Sequence, residues 1–478
     1  MRQVAACCGP ASLRARSPVR RNPFDGALGD WQHGRPMNSQ RFWQFARRMT
    51  PDLGPLRNAG QFRRLYAGQS ASFAGSMITF VALPYQVYRL THSSLLVGLL
   101  GLTELAPLVL AGLAGGLLAD ATDRRRLILT MECGGLLVAI ALTVNAASWH
   151  RVWLLFLLAA LNAGVLGLQR PALDALVPVL VARDDLPAAA ALSGLLGNGA
   201  QIAGPLLGGG LIAIGGLPFA YATDAATCLI GLIAFAGLTV APPADDQVRP
   251  SLRSLREGLS YARSRPELLG SYLIDMSAMF FGVPYALFPA YAARVGGPAV
   301  LGMLYAAPAV GATVVNLSAG WTRQVRRHGR AIVLAVCAWG GAIAAFGLAP
   351  GLLWGLVALA AAGGADMVSG IFRMTLWNQT IPARLRGRLA GLEMISYTTG
   401  QPLGNVESGL VASLTGSVRF AITSGGFLCI AGAVAVVAAL PMLWRYDASV
   451  GNGGKDSGEQ AGPAPAAAPE DEPDTLTA

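Results

Sequence analysis

Residues 116–126 read GLLADATDRRR and join two long apolar segments. The run before the arginines, residues 95–118, contains one acid and no base. The connection is too short to be a domain, yet it contains two acids and three arginines. In a short loop between membrane helices, an acid can cap the next helix and arginines keep the loop on the cytoplasmic side. The stretch therefore predicts a cytoplasmic turn between two membrane-spanning helices.

The composition of the whole chain also indicates a membrane protein. Of its 478 residues, 53% are hydrophobic and 13% are charged, and the mean hydropathy is +0.49. An ordinary soluble protein carries about 25% charged residues. The net charge of +10 would suggest nucleic acid as a partner of a soluble protein, but here the arginines lie between apolar runs. We therefore expect the lipid bilayer, and no nucleic acid, as the partner of these basic residues.

Apolar runs of about twenty residues recur between Phe62 and Trp444. Because twenty helical residues, at 1.5 Å each, cross a hydrocarbon core of about 30 Å, each run is predicted to span the membrane. The chain is thus predicted to be all-α, with twelve transmembrane spans in two six-helix bundles. The predicted spans, numbered 1 to 12 in chain order, are 65–88, 94–118, 127–147, 151–170, 188–213, 217–240, 269–292, 298–320, 331–349, 352–375, 389–413 and 418–443.

The segments between and around the spans give the predicted domains and the orientation. All but four of the 36 basic residues fall on one side of the membrane under this placement, so both termini are predicted to be cytoplasmic. Met1, Met37 and Met49 remain alternative starts. The predicted domains are a disordered tail at 1–62, a bundle at 63–240, a central loop with an amphipathic helix at 241–268, a second bundle at 269–444 and a disordered tail at 445–478.

The loop at 116–126 resembles the signature loop between helices 2 and 3 of the major facilitator superfamily, in which a glycine and Leu-Ala-Asp precede a basic cluster. Gly116, Asp120, Arg124 and Arg125 match this pattern. The resemblance implies that these residues form a gating motif, in which charges lock span 2 to a neighbouring or second-half helix.

Further stretches are similar to the transmembrane secretion effectors, the enterobactin exporter-like branch of that superfamily. The resemblance implies a secondary active exporter of a small-molecule substrate, either a siderophore or a drug-like amphiphile, that works by alternating access and proton antiport. It further implies a monomer in the bacterial inner membrane, with the proton gradient as energy source and no cofactor. The matching stretches include LPYQVYRLTHSSLLVGLLG from Leu83, ALFPAYAA from Ala286, LGMLYAAPAVGA from Leu301 and IPARLRGRLAGLEM from Ile381.

An internal repeat agrees with two duplicated bundles. Gly116 and Gly320 both precede a basic loop and are 204 residues apart, while Arg170 and Arg373 are 203 residues apart. Parallel six-helix repeats about an axis along the membrane normal are the arrangement of major facilitator transporters.

Acids inside predicted spans need an explanation, because a charge in hydrocarbon costs about 2.5–3.5 kcal/mol on insertion scales. Asp275 on span 7 and Glu104 on span 2 are the candidates for proton coupling, since burial favours the neutral form of a carboxyl group. The alternative for Asp275 is a buried partner that only fixes packing. Glu132 and Asp366 are expected to form structural ion pairs, Glu132 with the loop arginines and Asp366 with Arg373.

Span 5 contains NGAQIAGPLLGGG from Asn198. In this stretch Gly204, Pro205, Gly208 and Gly209 resemble the antiporter motif of exporting branches of the superfamily; ordinary glycine-rich packing is the alternative. Polar and aromatic groups within the spans are candidates for the substrate cavity, although each could instead make an interhelical hydrogen bond. These candidates are Gln69, Ser72, Gln86, Asn162, Gln201, Tyr285 and Asn316.

Three other functions stay open at this point. The first is a proton-independent facilitator or an importer of the same fold, and the second is a membrane receptor or scaffold, which would need neither buried acids nor duplicated halves. The third is an intramembrane enzyme, which is disfavoured because the sequence has no HExxH, GxSxG or GxGD motif. Neither the six cysteines nor the four histidines show metal-ligand spacing, so no metal site is expected.

Overall fold

The computed structural model describes residues 52–239, 265–381 and 383–447, and at residues 116–117, 119–121 and 383–397 it describes the backbone alone. Within these ranges the ordered structure is helical, without a strand. The amphipathic helix predicted in the central loop lies outside the described residues, as does most of both predicted tails. We call residues 52–239 the first half and residues 265–447 the second half.

The helices follow the predicted spans. Nine segments of the described chain are long and apolar enough to cross a membrane, and the full helix order is consistent with twelve crossings. The helices are span 1, Gly60–Thr91; span 2, Ser94–Ala121; span 3, Arg124–Val144; span 4, Val152–Leu180; spans 5 and 6, Leu186–Ala236; span 7, Pro266–Phe281 with Phe288–Val295; span 8, Pro298–Leu317; span 9, His328–Leu348; span 10, Leu352–Thr380; span 11, Ala383–Thr415; and span 12, Val418–Ala439.

Spans 5 and 6 form one helical segment with a sharp break. Leu186–Ala236 has 51 residues, which would extend about 75 Å if straight, more than twice the thickness of a bilayer core. Gly216 interrupts it with a φ of 77° and a ψ of −177°, a combination essentially restricted to glycine. Pro218 follows two residues later, at the start of the second arm. The break therefore lies where the sequence predicts the boundary between spans 5 and 6.

Span 7 differs from the continuous helix predicted at 269–292. Its first part ends at Phe281, and a short 3-10 turn, Tyr285–Leu287, leads into the second part, Phe288–Val295. The physical reason is Pro284, which lacks a backbone N–H and clashes with the preceding turn of a helix. The break turns Tyr285 and Ala286 towards the centre of the molecule, where they line a cavity.

The helical chain begins inside the segment predicted as the N-terminal tail. A short helix, Gly54–Asn58, precedes span 1, which starts at Gly60. The start of span 1 is tied to the end of span 6, because Gln61 Nε2 donates a 2.7 Å hydrogen bond to Thr239 Oγ1 and Arg64 donates to the carbonyl of Gly237. These polar contacts explain why the helix begins before its apolar run.

The two halves touch chiefly through two helix pairs, spans 2 with 11 and spans 5 with 8, with smaller contacts of span 1 with spans 7 and 8 and of span 2 with the turn Tyr285–Leu287. Gly98 of span 2 packs on the backbone of Asn405 in span 11, and Gly209 of span 5 packs on Gly302 in span 8. Both contacts lie towards the end of the molecule where spans 2 and 8 begin and spans 5 and 11 finish. The halves are thus joined at one end of the helices.

Candidate functional site

A cavity of about 220 Å³ lies between the two halves, and we call it the central cavity. It is lined by residues of spans 1, 2, 4, 8 and 11 and of the break in span 7. Of the described lining residues, Glu104 supplies the one carboxyl group. The other polar or aromatic lining residues are Ser76, Thr79, Phe80, Asn162, Tyr285, Tyr305, Thr398, Gln401 and Asn405.

One wall of the central cavity is aromatic. The ring of Tyr305 lies 5.1 Å from those of Phe80 and Phe288 and 5.6 Å from that of Tyr285, each with a steep angle between the planes. Such edge-to-face pairs are favourable because the ring edge is positive and the face negative. Tyr305 Oη also donates a 3.2 Å hydrogen bond to the Tyr285 carbonyl. These contacts hold the wall across spans 1, 7 and 8.

A second cavity, of about 350 Å³, adjoins the first and lies within the first half. The two share the lining residues Ser76, Met77, Leu108 and Leu166, so they lie side by side. The second cavity, which we call the adjoining cavity, is bordered by polar groups of spans 1, 4 and 5. These are Gln69, Ser72, Gln169, Arg170, Asp174 and Ser193.

The structure separates the predicted cavity residues into three groups. Asn162 and Tyr285 line the central cavity, and Gln69 and Ser72 line the adjoining one. Gln86 is buried on the side of span 1 that faces span 6, where its Oε1 accepts a 2.8 Å hydrogen bond from Tyr221. The remaining two, Gln201 and Asn316, are exposed and line neither cavity.

The two predicted coupling acids have different surroundings. Glu104 faces the central cavity. Asp275 is buried, with a side chain 6% exposed, and forms an ion pair with Arg373 of span 10. Asp366 lies close enough to Arg373 and Asp275 to interact with both charges. These contacts are of the kind expected if Asp275 only fixes the packing of spans 7 and 10. Its role in proton coupling stays a prediction.

Glu132 departs from the expected ion pair with the loop arginines. Its Oε2 accepts a 2.5 Å hydrogen bond from Gln169 Nε2 on span 4. The guanidinium of Arg124 instead donates to the carbonyl of Ala175, and that of Arg125 to the carbonyl of Ala236. The prediction was wrong because Glu132 lies two helical turns beyond the loop, beside span 4.

Comparison with known proteins now identifies the family. The family model for transmembrane secretion effectors matches residues 50–452, most of the chain. The chain belongs to this family. The enterobactin exporter EntS of Shigella boydii serotype 4 is 30% identical over 400 residues, which cover 83% of this chain and 95% of that protein. EntS of Citrobacter koseri is 30% identical over 386 residues, covering 80% and 92%.

Solved structures agree on the fold of this secretion effector. The nucleoside transporter NupG has a TM-score of 0.61 at 14% identity, covering 81% of this chain and 100% of that one. A bacterial homologue of the iron transporter ferroportin, in an inward-facing state, has a TM-score of 0.60 at 15% identity, covering 80% and 98%. The predicted fold and resemblance are therefore confirmed: this is a multi-pass membrane protein with the fold of major facilitator transporters.

The predicted gating motif of this secretion effector is described in part. Arg124 is buried, and both it and Arg125 bond to carbonyls towards the ends of first-half helices, as given above. Asp123 caps span 3, since its Oδ1 accepts a 2.9 Å hydrogen bond from the Arg125 backbone N–H. At Gly116 and Asp120 the structure describes the backbone alone. A charge lock between the loop and the second half stays a prediction.

The antiporter-type motif contacts helices on both sides of span 5. Gly204 packs against Met77 of span 1, and Gly208 lies against the neighbouring residue, Ile78. Gly209 and the Pro205 carbonyl face Gly302 of span 8 instead. The motif thus joins span 5 both to its own half and to the second half.

Sequence reasoning missed several lining residues, chiefly Tyr305, Gln401 and Asn405. Asn405 Oδ1 accepts a 3.1 Å hydrogen bond from the backbone N–H of Ala286, inside the break of span 7. A broken helix leaves N–H groups that need acceptors. The signal was therefore present in Pro284, which predicts a break and hence an amide or hydroxyl group nearby.

Proposed function

We propose that this protein is a secondary exporter that moves a small molecule through the central cavity by alternating access, driven by proton antiport. The proposal is carried by one observation: a carboxyl group, Glu104, faces an aromatic and amide-lined cavity between the two halves. Its relatives are named as enterobactin exporters, which supports outward transport.

The way in which the halves touch supports alternating access. Spans 2, 5, 8 and 11 meet at one end, and the predicted orientation makes this the extracellular end. The adjoining cavity extends from the central cavity along spans 1, 4 and 5 on the other side of these contacts. We infer a state closed to the outside and open towards the cytoplasm, in which substrate is loaded. Both termini are then cytoplasmic, in a bacterial inner membrane.

The lining chemistry favours a partly apolar substrate with hydrogen-bonding groups. Aromatic rings offer stacking surfaces, and the amides of Asn162, Gln401 and Asn405 offer both donors and acceptors. Siderophores and drug-like amphiphiles both have this character, and enterobactin is the molecule in the relatives' name. We propose that the protein acts as a monomer, without a cofactor.

For proton coupling we favour Glu104 over Asp275. A coupling acid must exchange protons with a compartment that changes its access, and Glu104 borders the cavity directly. Asp275 is already neutralised by the guanidinium of Arg373, so it has less reason to bind a proton. We retain Asp275 as the second candidate.

The test is transport by the purified protein in proteoliposomes, with enterobactin and the aromatic cation ethidium as probes. An imposed proton gradient should drive accumulation, and Glu104→Gln should reduce it at least about tenfold, the size of one lost 1.4 kcal/mol interaction. Exchange of probe without a gradient should persist. Glu407→Gln is the matched control, because Glu407 lies on span 11 but lines neither cavity.

The alternatives give other outcomes. Gradient-independent equilibration that Glu104→Gln leaves unchanged would identify a facilitator, and accumulation in the opposite direction would identify an importer. Binding of the probes without any flux would indicate a receptor or scaffold. Loss of coupling in Asp275→Asn but not in Glu104→Gln would move the coupling site to span 7.

A further inference from the structure

The two halves balance their buried charges differently. At the 203-residue offset of the internal repeat, Ser72 on span 1 corresponds to Asp275 on span 7, and Arg170 on span 4 corresponds to Arg373 on span 10. In the second half these two residues form the Asp275–Arg373 ion pair. In the first half Arg170 lies 3.6 Å from Asp174 of its own helix, while the neighbouring Gln169 is bonded to an acid of span 3, Glu132.

Among the described residues, Glu132 is buried without a counter-charge. The residue is 2% exposed, and one of its oxygens, Oε2, accepts the hydrogen bond from Gln169. Ser72 faces the carboxyl group, but the other oxygen, Oε1, is buried and forms no well-directed hydrogen bond within the described part of the chain. It points at Gly231 of span 6, where an added Cβ would lie 2.5 Å from it. The glycine therefore leaves the space that this oxygen occupies.

A second acid, Asp224 of span 6, lies near the first. It is 6% exposed, its Oδ2 accepts a 2.5 Å hydrogen bond from Thr79 Oγ1, and its Oδ1 is 3.7 Å from Cys228 Sγ. Glu132 and Asp224 are close enough to interact electrostatically. We call these two residues the first-half acid pair.

The groups that face the acid pair from the surrounding helices are neutral. The arginines nearest in sequence, Arg124 and Arg125, reach the carbonyls of Ala175 and Ala236. Among the side chains that the structure describes, no basic group forms an ion pair with either acid. The facing groups are Ser72 and Thr79 on span 1, Gln169 on span 4, and Tyr221 and Cys228 on span 6.

Each acid of the pair accepts a hydrogen bond from a residue that lines one of the two cavities. Gln169, which donates to Glu132, lines the adjoining cavity. Thr79, which donates to Asp224, lines the central cavity. A proton can therefore reach the acids from the transport path without crossing an apolar layer.

We propose that Glu132 and Asp224 form a proton-binding site in the first half. Two carboxylates buried together without a cation are costly, and the neutral form of at least one removes this cost. The step is a simple protonation: a carboxylate oxygen gains a proton from water on the cavity side, and the same O–H bond breaks when the proton returns to water. No other bond changes.

The proposal deepens the proton-antiport part of the proposed function and rests on it for its role in transport. The closing experiment does not use transport. Infrared difference spectra of the purified protein, recorded between about pH 5 and pH 9, report the carbonyl-stretching band of protonated carboxyl groups. Wild type should show such a band, and Glu132→Gln and Asp224→Asn should each reduce it, together by roughly one proton per protein.

A variant that places a permanent positive charge beside Glu132 makes the test specific. Gln169→Arg introduces a fixed cation beside Glu132, and it should remove the part of the band that Glu132→Gln removes, because this cation then neutralises Glu132. Gln169→Glu should instead retain the band or strengthen it. Asp184→Asn, an exposed acid in the loop before span 5, should leave it unchanged. Thermal unfolding of each variant shows whether the protein remains folded.

A band that is undiminished in Glu132→Gln, Asp224→Asn and Gln169→Arg would overturn the proposal, as would a band that sodium, rather than alkaline pH, removes. The proposed function fails separately: proteoliposomes that show no gradient-driven flux would refute antiport even if the infrared titration behaves as expected. Normal antiport with a band that these three variants leave undiminished would refute only the acid pair.

Discussion

Substitution of Gly209 should open the contact that closes one end of the transport path. Gly209 lies where span 5 meets span 8, and an added Cβ would come within 2.5 Å of the Pro298 carbonyl oxygen and 2.9 Å of Gly302 Cα. Backbone atoms cannot rotate away as a flexible side chain can. Gly209→Ala should therefore force spans 5 and 8 apart at this end.

The structure supplies both the magnitude and the control. Overpacking a tight contact costs about 1–3 kcal/mol, and this cost applies only to the state in which the two helices touch. An energy difference of that size shifts a two-state equilibrium roughly 5- to 150-fold. Gly210 is the next residue in the same helix and has nothing within 4 Å of its added Cβ. Gly210→Ala thus changes helix propensity equally, by about 1 kcal/mol, without the clash.

The assay is a distance measurement between spin labels at the two halves. Ile214 at the end of span 5 and Leu414 at the end of span 11 are 85% and 78% exposed, so labelled cysteines there should not disturb packing. In a background without native cysteines, Gly209→Ala should add a longer distance that Gly210→Ala does not produce. Identical distance distributions for the two variants would refute the reasoning.

Three further substitutions test contacts inside the halves, each by thermal unfolding in detergent. Arg373→Gln should destabilise the protein by about 3–5 kcal/mol because Asp275 is then buried without its cation, and adding Asp275→Asn should recover part of this loss. Tyr221→Phe removes the hydrogen bond to Gln86 and should cost about 0.5–1.5 kcal/mol. Gly216→Ala should cost about 1–3 kcal/mol because its φ of 77° and ψ of −177° are essentially restricted to glycine; an unchanged melting temperature would contradict any of the three.

Most of the fold follows from the sequence, because the helices coincide with apolar runs of membrane length. The boundary between spans 5 and 6 was predictable from the glycines and Pro218 around Gly216. The break in span 7 was not predicted, although Pro284 signals it, because the apolar run continues through this proline. Hydropathy reports how apolar a segment is, and it does not report a bend of the backbone inside the protein.

The candidate site was less predictable, and the reason is orientation. Glu104, Asn162 and Tyr285 were recognised as unusual within apolar helices, and they line the central cavity. Gln201 is as unusual in sequence, but its face of span 5 points away from both cavities. A polar residue in a span indicates that it has some polar partner. The identity of that partner depends on how the helix is rotated about its axis, and the apolar pattern of a twelve-span protein defines this rotation only loosely.

The buried acids of the two halves differ in how their charge is balanced. Asp275 is paired with an arginine, which stays charged at any physiological pH. Glu132 is bonded to an amide instead, and no basic side chain that the structure describes forms an ion pair with it. If the halves arose by duplication, the second half kept a permanent charge balance and the first half a titratable one. Changes in pH should then alter the packing of spans 1, 3, 4 and 6, while spans 7 and 10 remain joined.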